Sequence, residues 1–262
     1  MIAWLAFLGF LGMALFGPWV VSADPLQQTP SAMLPIGSPG HLAGTDDLGR
    51  DQLARLVYGA RPLIFVSIAA TTLACGLGLV LGLAAGFYRG WVEQVTMRSV
   101  DVLLAFPSML LVILVVAAIG TGATPLVLGI GVAMTPVFAR VVRATASREM
   151  NRDYVTAARA SGARSSRVMT VEILPNMMGP LLVQAFAILS ISAGFAAGLS
   201  YIGLGIQPPH ADWGYMVKAG QEFVFTAPAL VVLPGLLTML FVIACNFVGD
   251  DLRDAFDPRR RR

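Results

Sequence analysis

The sequence predicts an all-α polytopic membrane protein with six transmembrane helices. Three observations carry that reading. The chain is 56% hydrophobic and only 13% charged, with a mean hydropathy of +0.75, whereas a soluble domain carries roughly a quarter charged residues. Six windows approach the ~20 mostly apolar residues that a bilayer crossing requires. They lie at about 2–21, 62–86, 102–119, 125–143, 178–200 and 228–249. Finally, basic residues gather on alternate connections, and the basic side of a membrane protein is cytoplasmic.

The first window ends at Val21-Ser22-Ala23, which resembles a signal-peptide cleavage site. It has no basic segment before it and is long for a signal core, so a retained span is expected. The chain starts abruptly at this span, which leaves open whether a short cytoplasmic leader belongs before it. The connection 22–61 opens extended and then reads GTDDLGRDQLARLVYGAR. This stretch predicts a surface helix capped by Thr45 or Asp46, with Leu48, Leu53, Leu56 and Val57 as its apolar stripe. Its acids lack the ligand run and closing Glu of a calcium loop.

Within the second window, Gly78, Gly82 and Gly86 recur every fourth residue, as do Ser190, Gly194 and Gly198 within the fifth. Such spacing lets helices approach closely in lipid. The pattern alone favours static packing over a moving interface. Arg140, Arg143 and Asp101 fall at window edges, and the interiors hold no ionisable residue. Proton-coupled transport normally leaves such residues inside the spans. The spans therefore read as a wall moved from elsewhere, and a secondary transporter or channel is the weaker alternative.

Fourteen of the eighteen basic residues lie in 87–101, 140–176 and the tail, the last including Arg259 to Arg262. Both termini are thus expected inside. The net charge of +3 expresses this bias and suggests membrane lipid rather than nucleic acid as its counterpart. Cys75 and Cys245 sit in apolar runs and behave as small hydrophobes. His41 and His210 are expected on the outer surface without partners. The 201–227 connection is expected to be an ordered outer excursion broken by Pro208-Pro209, with Trp213, Tyr215 and Phe223 at the membrane interface. The only lysine, Lys218, precedes Ala219, so no phosphate-binding P-loop is present. No nucleophile–base set or metal cluster marks an enzyme.

The polar island RDYVTAARASGARSSRVMTVEILPN at 152–176 is the most organised segment. Asp153 can cap a helix through Ser161, which Ala157, Ala158 and Ala160 keep slim. Gly162 suits a left-handed turn. Ser165 or Ser166 can cap a second helix through Leu174. Pro175 then opens the next span, where its missing N–H is harmless. Together these predict a stiff cytoplasmic knob.

This segment resembles the "EAA" loop of permease subunits in bacterial ABC importers, in the dipeptide/oligopeptide/nickel branch. GTDDLGRD at 44–51, YGAR at 58–61, RSVDVLLAFPS at 98–108, YIGLGIQPP at 201–209, DWG at 212–214 and GDDLRDAFDPR at 249–259 resemble that branch in order and spacing. The leading Glu of the motif is Thr156 here. The resemblance implies a single permease domain over 1–262 with the type I importer fold. Asp153, Ala157, Ala158, Gly162, Ile173, Leu174 and Pro175 would couple it to an ATPase. It further implies a homologous sister permease, two cytoplasmic ABC ATPase subunits and an extracytoplasmic substrate-binding protein in the bacterial inner membrane. ATP and Mg would be held by those ATPases and no cofactor by this chain. The branch handles peptides, nickel chelates and related solutes, and the sequence leaves the substrate open.

Overall fold

The computed structural model describes residues 2–88 and 90–256. Arg89 and the basic tail Arg259 to Arg262 lie outside the described residues. Among the described residues the main helices follow in order: α1 (Ile2–Val20), α2 (Gln52–Tyr88), α3 (Trp91–Ala105), α4 (Ser108–Ile119), α5 (Ala123–Glu149), α6 (Asp153–Ala160), α7 (Ser165–Tyr201), α8 (Trp213–Gly220) and α9 (Ala229–Phe256). Among the described residues, α1, α2, α5, α7 and α9 are each long and apolar enough to cross a membrane.

The third predicted span is not one helix. Phe106-Pro107 breaks it, and α3 and α4 meet at 87°. Pro107 has no N–H for a helical bond and pushes Phe106 into extended backbone, with ψ of 136°. Only if the bent pair is one span does the count reach six.

The predicted surface helix over 45–61 is also corrected. Residues 44–51 form turns, and α2 begins at Gln52 and runs unbroken into the span. Asp51 caps it, because its carboxylate accepts from the Ala54 N–H at 2.7 Å. Thr45 and Asp46 instead hold the 22–51 loop together. The Thr45 hydroxyl donates to Ser31 O and accepts from Leu34 N–H. Asp46 is buried and pairs with Arg50 at 2.6 Å and Arg55 at 3.3 Å. Leu48 is exposed at the turn rather than part of a stripe. His41 has a partner after all: its Nδ1 lies 2.8 Å from Asp51 Oδ2.

At the centre, α2 lies against α5 with little between them. A β-carbon on Gly78 would stand 2.9 Å from Thr135 O, and one on Gly82 2.5 Å from Ala139 O. One on Gly86 would meet Ala146 Cβ at 2.7 Å. These three glycines replace side-chain bulk with backbone contact. Gly194 and Gly198 differ, since a β-carbon there would meet nothing within 4 Å. Their expected close approach is not made inside this chain, because the α7 face that carries them is open.

Buried Phe7, Phe10 (half-buried) and Phe241 knit α1 to α9 through edge and stacked ring contacts. Pro18 denies α1 one backbone donor and leaves Ala14 O without its helical partner. Arg61 of α2 supplies the missing donor, with Nε 2.7 Å from Ala14 O and Nη2 3.1 Å from Leu15 O. The basic end of YGAR thus fixes α1 to α2.

Candidate coupling site

The 153–174 unit starts with extended backbone at Arg152 (ψ 148°), the N-cap of α6. Asp153 is therefore the first helical residue and not the cap, and no side chain caps this end. Its carboxylate still favours the positive end of the helix dipole. One stripe of α6, Asp153, Thr156, Ala157 and Ala160, faces outward. The opposite side anchors the helix through fully buried Val155 and half-buried Tyr154 and Ala158.

Gly162 ends α6 with a φ of +79°. Its N–H bonds Arg159 O at 3.0 Å, and Ala163 N–H bonds Ala158 O at 3.0 Å. This is the Schellman closure, which needs a residue in the left-handed region. Nothing lies within 4 Å of the position a β-carbon would take. Glycine is required here by backbone conformation and not by space.

The second half departs from expectation. Ser165 and Ser166 provide no cap hydrogen bond; Arg164 is the N-cap. The helix does not stop before Pro175 either. It widens into a π segment over Val168–Ile173 and continues as one rod to Tyr201. The Leu174 N–H bonds Met169 O, a five-residue step. Pro175 explains the widening: it cannot donate back, and its ring would crowd the preceding turn of an α-helix. Val168, Ile173 and Met177 are fully buried and Leu174 half-buried, so this rod is anchored at the end that carries the knob. Pro175 itself is exposed.

Two further ties hold the knob. The Tyr154 hydroxyl donates to Glu149 Oε2 at 2.8 Å, bridging the junction between α5 and α6. Burial, then that carboxylate, pushes the phenol up to about 12, so it remains a donor across the physiological range. The Arg159 guanidinium sits 5.5 Å from the centre of the Phe87 ring at the end of α2, a cation–π contact. Arg152, Arg159, Arg164 and Arg167 are exposed around the small-residue stripe. The knob can therefore present a slim ridge of small residues, with Asp153 at its start and a basic rim, to a partner.

The far ends of the rods meet in a second built region. Trp213, expected at the membrane interface, is fully buried, and its Nε1 donates to Leu56 O at 2.7 Å. Gly59 gives the indole room, and Gly214 lets α8 approach Ala197 O and Ser200. Asp212 caps α8 by accepting from Tyr215 N–H at 3.0 Å. Gly203 closes α7 with a φ of +90° and a second Schellman pair, Gly203 N–H to Ser200 O and Leu204 N–H to Leu199 O. DWG and YIGLG are thus structural joints. A cavity of about 1380 Å³ lies beside them, lined by residues that include Asp24, Arg61, Phe65, Gln207 and His210. Arg61 and Trp213 are anchoring residues whose partners periodicity does not show. Pro18 upstream of a lone Arg was the available signal for the first.

Comparisons with known proteins agree with this architecture. The family of binding-protein-dependent transport system inner membrane components matches residues 78–262. The di/tripeptide transport system permease DppC of Pseudomonas aeruginosa is 42% identical, over 94% of this chain and 83% of that protein. The dipeptide transport system permease DppC of Escherichia coli K12 is 40% identical, over 96% of this chain and 86% of that one. Among solved structures, an inward-facing form of the MetNI methionine ABC transporter superposes with a TM-score of 0.64 at 18% identity. That match covers 77% of this chain and 95% of the MetNI chain and establishes the type I importer fold. A sequence match over most of the chain, joined to this fold, decides the family: the chain belongs to the binding-protein-dependent transport inner membrane components and is a permease subunit of an ABC importer.

Proposed function

We propose that this chain forms half of a di- or tripeptide pathway through the bacterial inner membrane, driven by ATP hydrolysed in partner subunits. The observation that carries the reading is the 153–174 unit. It is a slim exposed ridge, clamped to α2, α5 and α7, and aimed away from the rest of the chain. A homologous sister permease would supply the other half of the pathway. Two cytoplasmic ATPases, holding ATP and Mg, would each receive one such ridge. An extracytoplasmic binding protein would deliver the peptide. Asp153, Ala157 and Gly162 would shape the contact and Ala158 would seat α6 behind it, while Ile173, Leu174 and Pro175 would carry motion into α7. The 140–176 region and both termini are assigned to the cytoplasm by the basic asymmetry.

Peptide is chosen over nickel chelates because the relatives at about 40% identity are named for dipeptide transport. The test is uptake in cells whose own copy of this gene is deleted. Plasmid-borne chain should restore accumulation of labelled dipeptides, and nickel accumulation should not change. Restored nickel uptake without peptide uptake would reassign the substrate. Uptake that persists when the ATPase partners are inactivated would favour a secondary transporter.

A further inference from the structure

Two arginines one turn apart near the cytoplasmic end of α5 each meet an acid of α3. Arg140 Nη2 lies 2.6 Å from Asp101 Oδ1, and Arg143 Nε lies 2.8 Å from Glu93 Oε1. The acids stand two turns apart on α3, so α3 crosses α5 obliquely and is pinned at two points. Apolar packing holds α3 only lightly: Val100 is its one buried residue. Trp91, Val95 and Val102 are exposed. A cavity of about 1230 Å³, lined by both ion pairs and Arg98, opens beside them. At one end α5 reaches α6 through residues 150–152 and the Tyr154–Glu149 bond. At the other end α3 runs into the 87° elbow at Phe106-Pro107.

We propose that these two ion pairs are a tie between the coupling knob and the elbow. Displacement of α6 is carried by α5, handed to α3 through Arg140–Asp101 and Arg143–Glu93, and turned at Pro107 into α4. The proposal rests on the coupling role of 153–174. The four charged residues are positioning residues: they touch neither ATP nor the ATPase. Ion pairs suit the task because α3 has too little buried surface to follow α5 by packing. Half-exposed pairs are individually weak, so the tie can yield and re-form during a cycle.

The test uses the full complex with sister permease, ATPases and binding protein in proteoliposomes. Asp101→Arg, Arg140→Asp and the double swap are compared, with Asp101→Asn and Arg140→Gln covering the case that a reversal fails to assemble. The single variants should keep ATP hydrolysis within about twofold while peptide transported per ATP falls about tenfold. The double swap should recover most of that ratio. With Cys75 and Cys245 replaced, spin labels at Arg98→Cys and Ala144→Cys should hold one distance in both nucleotide states of the otherwise native chain, and a broadened distance in the single variants. An unchanged transport-to-ATP ratio with a broadened distance overturns the tie. So does an equal fall in transport and hydrolysis, which marks the pairs as merely structural. Failure of the otherwise native complex to show binding-protein-stimulated hydrolysis would instead remove the coupling reading beneath it.

Discussion

Asp46 shows how much depends on single buried charges. It sits between Arg50 and Arg55, all three with less than a tenth of their surface exposed. Removing one partner from a buried ion pair leaves uncompensated charge and costs about 3–5 kcal/mol. Asp46→Ala should therefore loosen the outer loop, read as faster trypsin cleavage within 22–51 and a lower thermal midpoint of the purified complex. A midpoint within a degree or so of the native chain would mean that the cluster contributes no net stability. Asp212 poses the opposite problem. Burial raises its carboxyl above the ordinary value of 3.8, against the hydrogen bonds from Tyr215, Ser200 and Gly214 that lower it. Between that value and the raised native one, the folded chain binds more of this proton than the unfolded chain does. Stability falls as pH rises from 3.8 towards the raised native value, and the loss is complete above it. Asp212→Asn keeps an oxygen acceptor for the cap and removes this dependence. Its thermal midpoint should match or exceed the native one at neutral pH, and that advantage should shrink as pH falls towards 3.8. An advantage that grows as pH falls would contradict the assignment.

At the scale of elements, the turn at Gly162 and the α2–α5 seam separate two reasons for glycine. Gly162 is needed for its positive φ in open space, so Gly162→Val should strain the turn by about 1–2 kcal/mol. Gly162→Asn should be tolerated, since Asn enters the left-handed region more readily. In purified complexes the Val variant should lose binding-protein-stimulated hydrolysis and transport while retaining the sister permease, and the Asn variant should keep most of both. Equal behaviour of the two would show that backbone conformation is not what the position supplies. Ala158→Arg should also disable coupling without harming insertion, because it lies outside every span. Normal transport by both Gly162→Val and Ala158→Arg would remove 153–174 as the coupling element. Gly82 is needed for space. Gly82→Leu forces α2 off the backbone of α5, an overpacking cost of about 1–3 kcal/mol or more. Reduced membrane abundance, measured by immunoblot, is the expected result, and native abundance would count against the tight seam.

For the whole molecule the open question is which way the bundle faces. The basic asymmetry assigns α6 to the cytoplasm and the 22–51 and 202–212 loops to the outside. In a background with Cys75 and Cys245 replaced, an impermeant thiol reagent on intact cells should label Gln28→Cys and His210→Cys. It should spare Ser161→Cys until the cells are opened. All three positions are exposed, so labelling at 161 from outside would invert the topology.

The sequence by itself determined the class, the apolar rods and the location of the knob. Each rests on a local quantity: the hydropathy of ~20 residues, the sign of charge between runs, or the backbone freedom of Gly162. The resemblance carried by 152–176 and the flanking motifs pointed to the family that the comparisons establish. What the motifs do physically was not legible, because it depends on groups far apart in the chain. Arg61 could not be matched to the carbonyls of α1, nor Trp213 to Leu56 O, before those helices were brought together. The helical pattern at Thr45, Asp46 and Leu48 misleads because it competes with a loop whose stability comes from Asp46, Arg50 and Arg55 converging in space. The largely apolar composition of 102–119 marks a span and does not show a bend within it. Only the tertiary structure shows Pro107 bending it, with α3 drawn along α5 by two ion pairs. Local propensity chooses which segments become helices. Where those helices break, cross and lock is decided by donors, acceptors and charges that meet only in the folded chain.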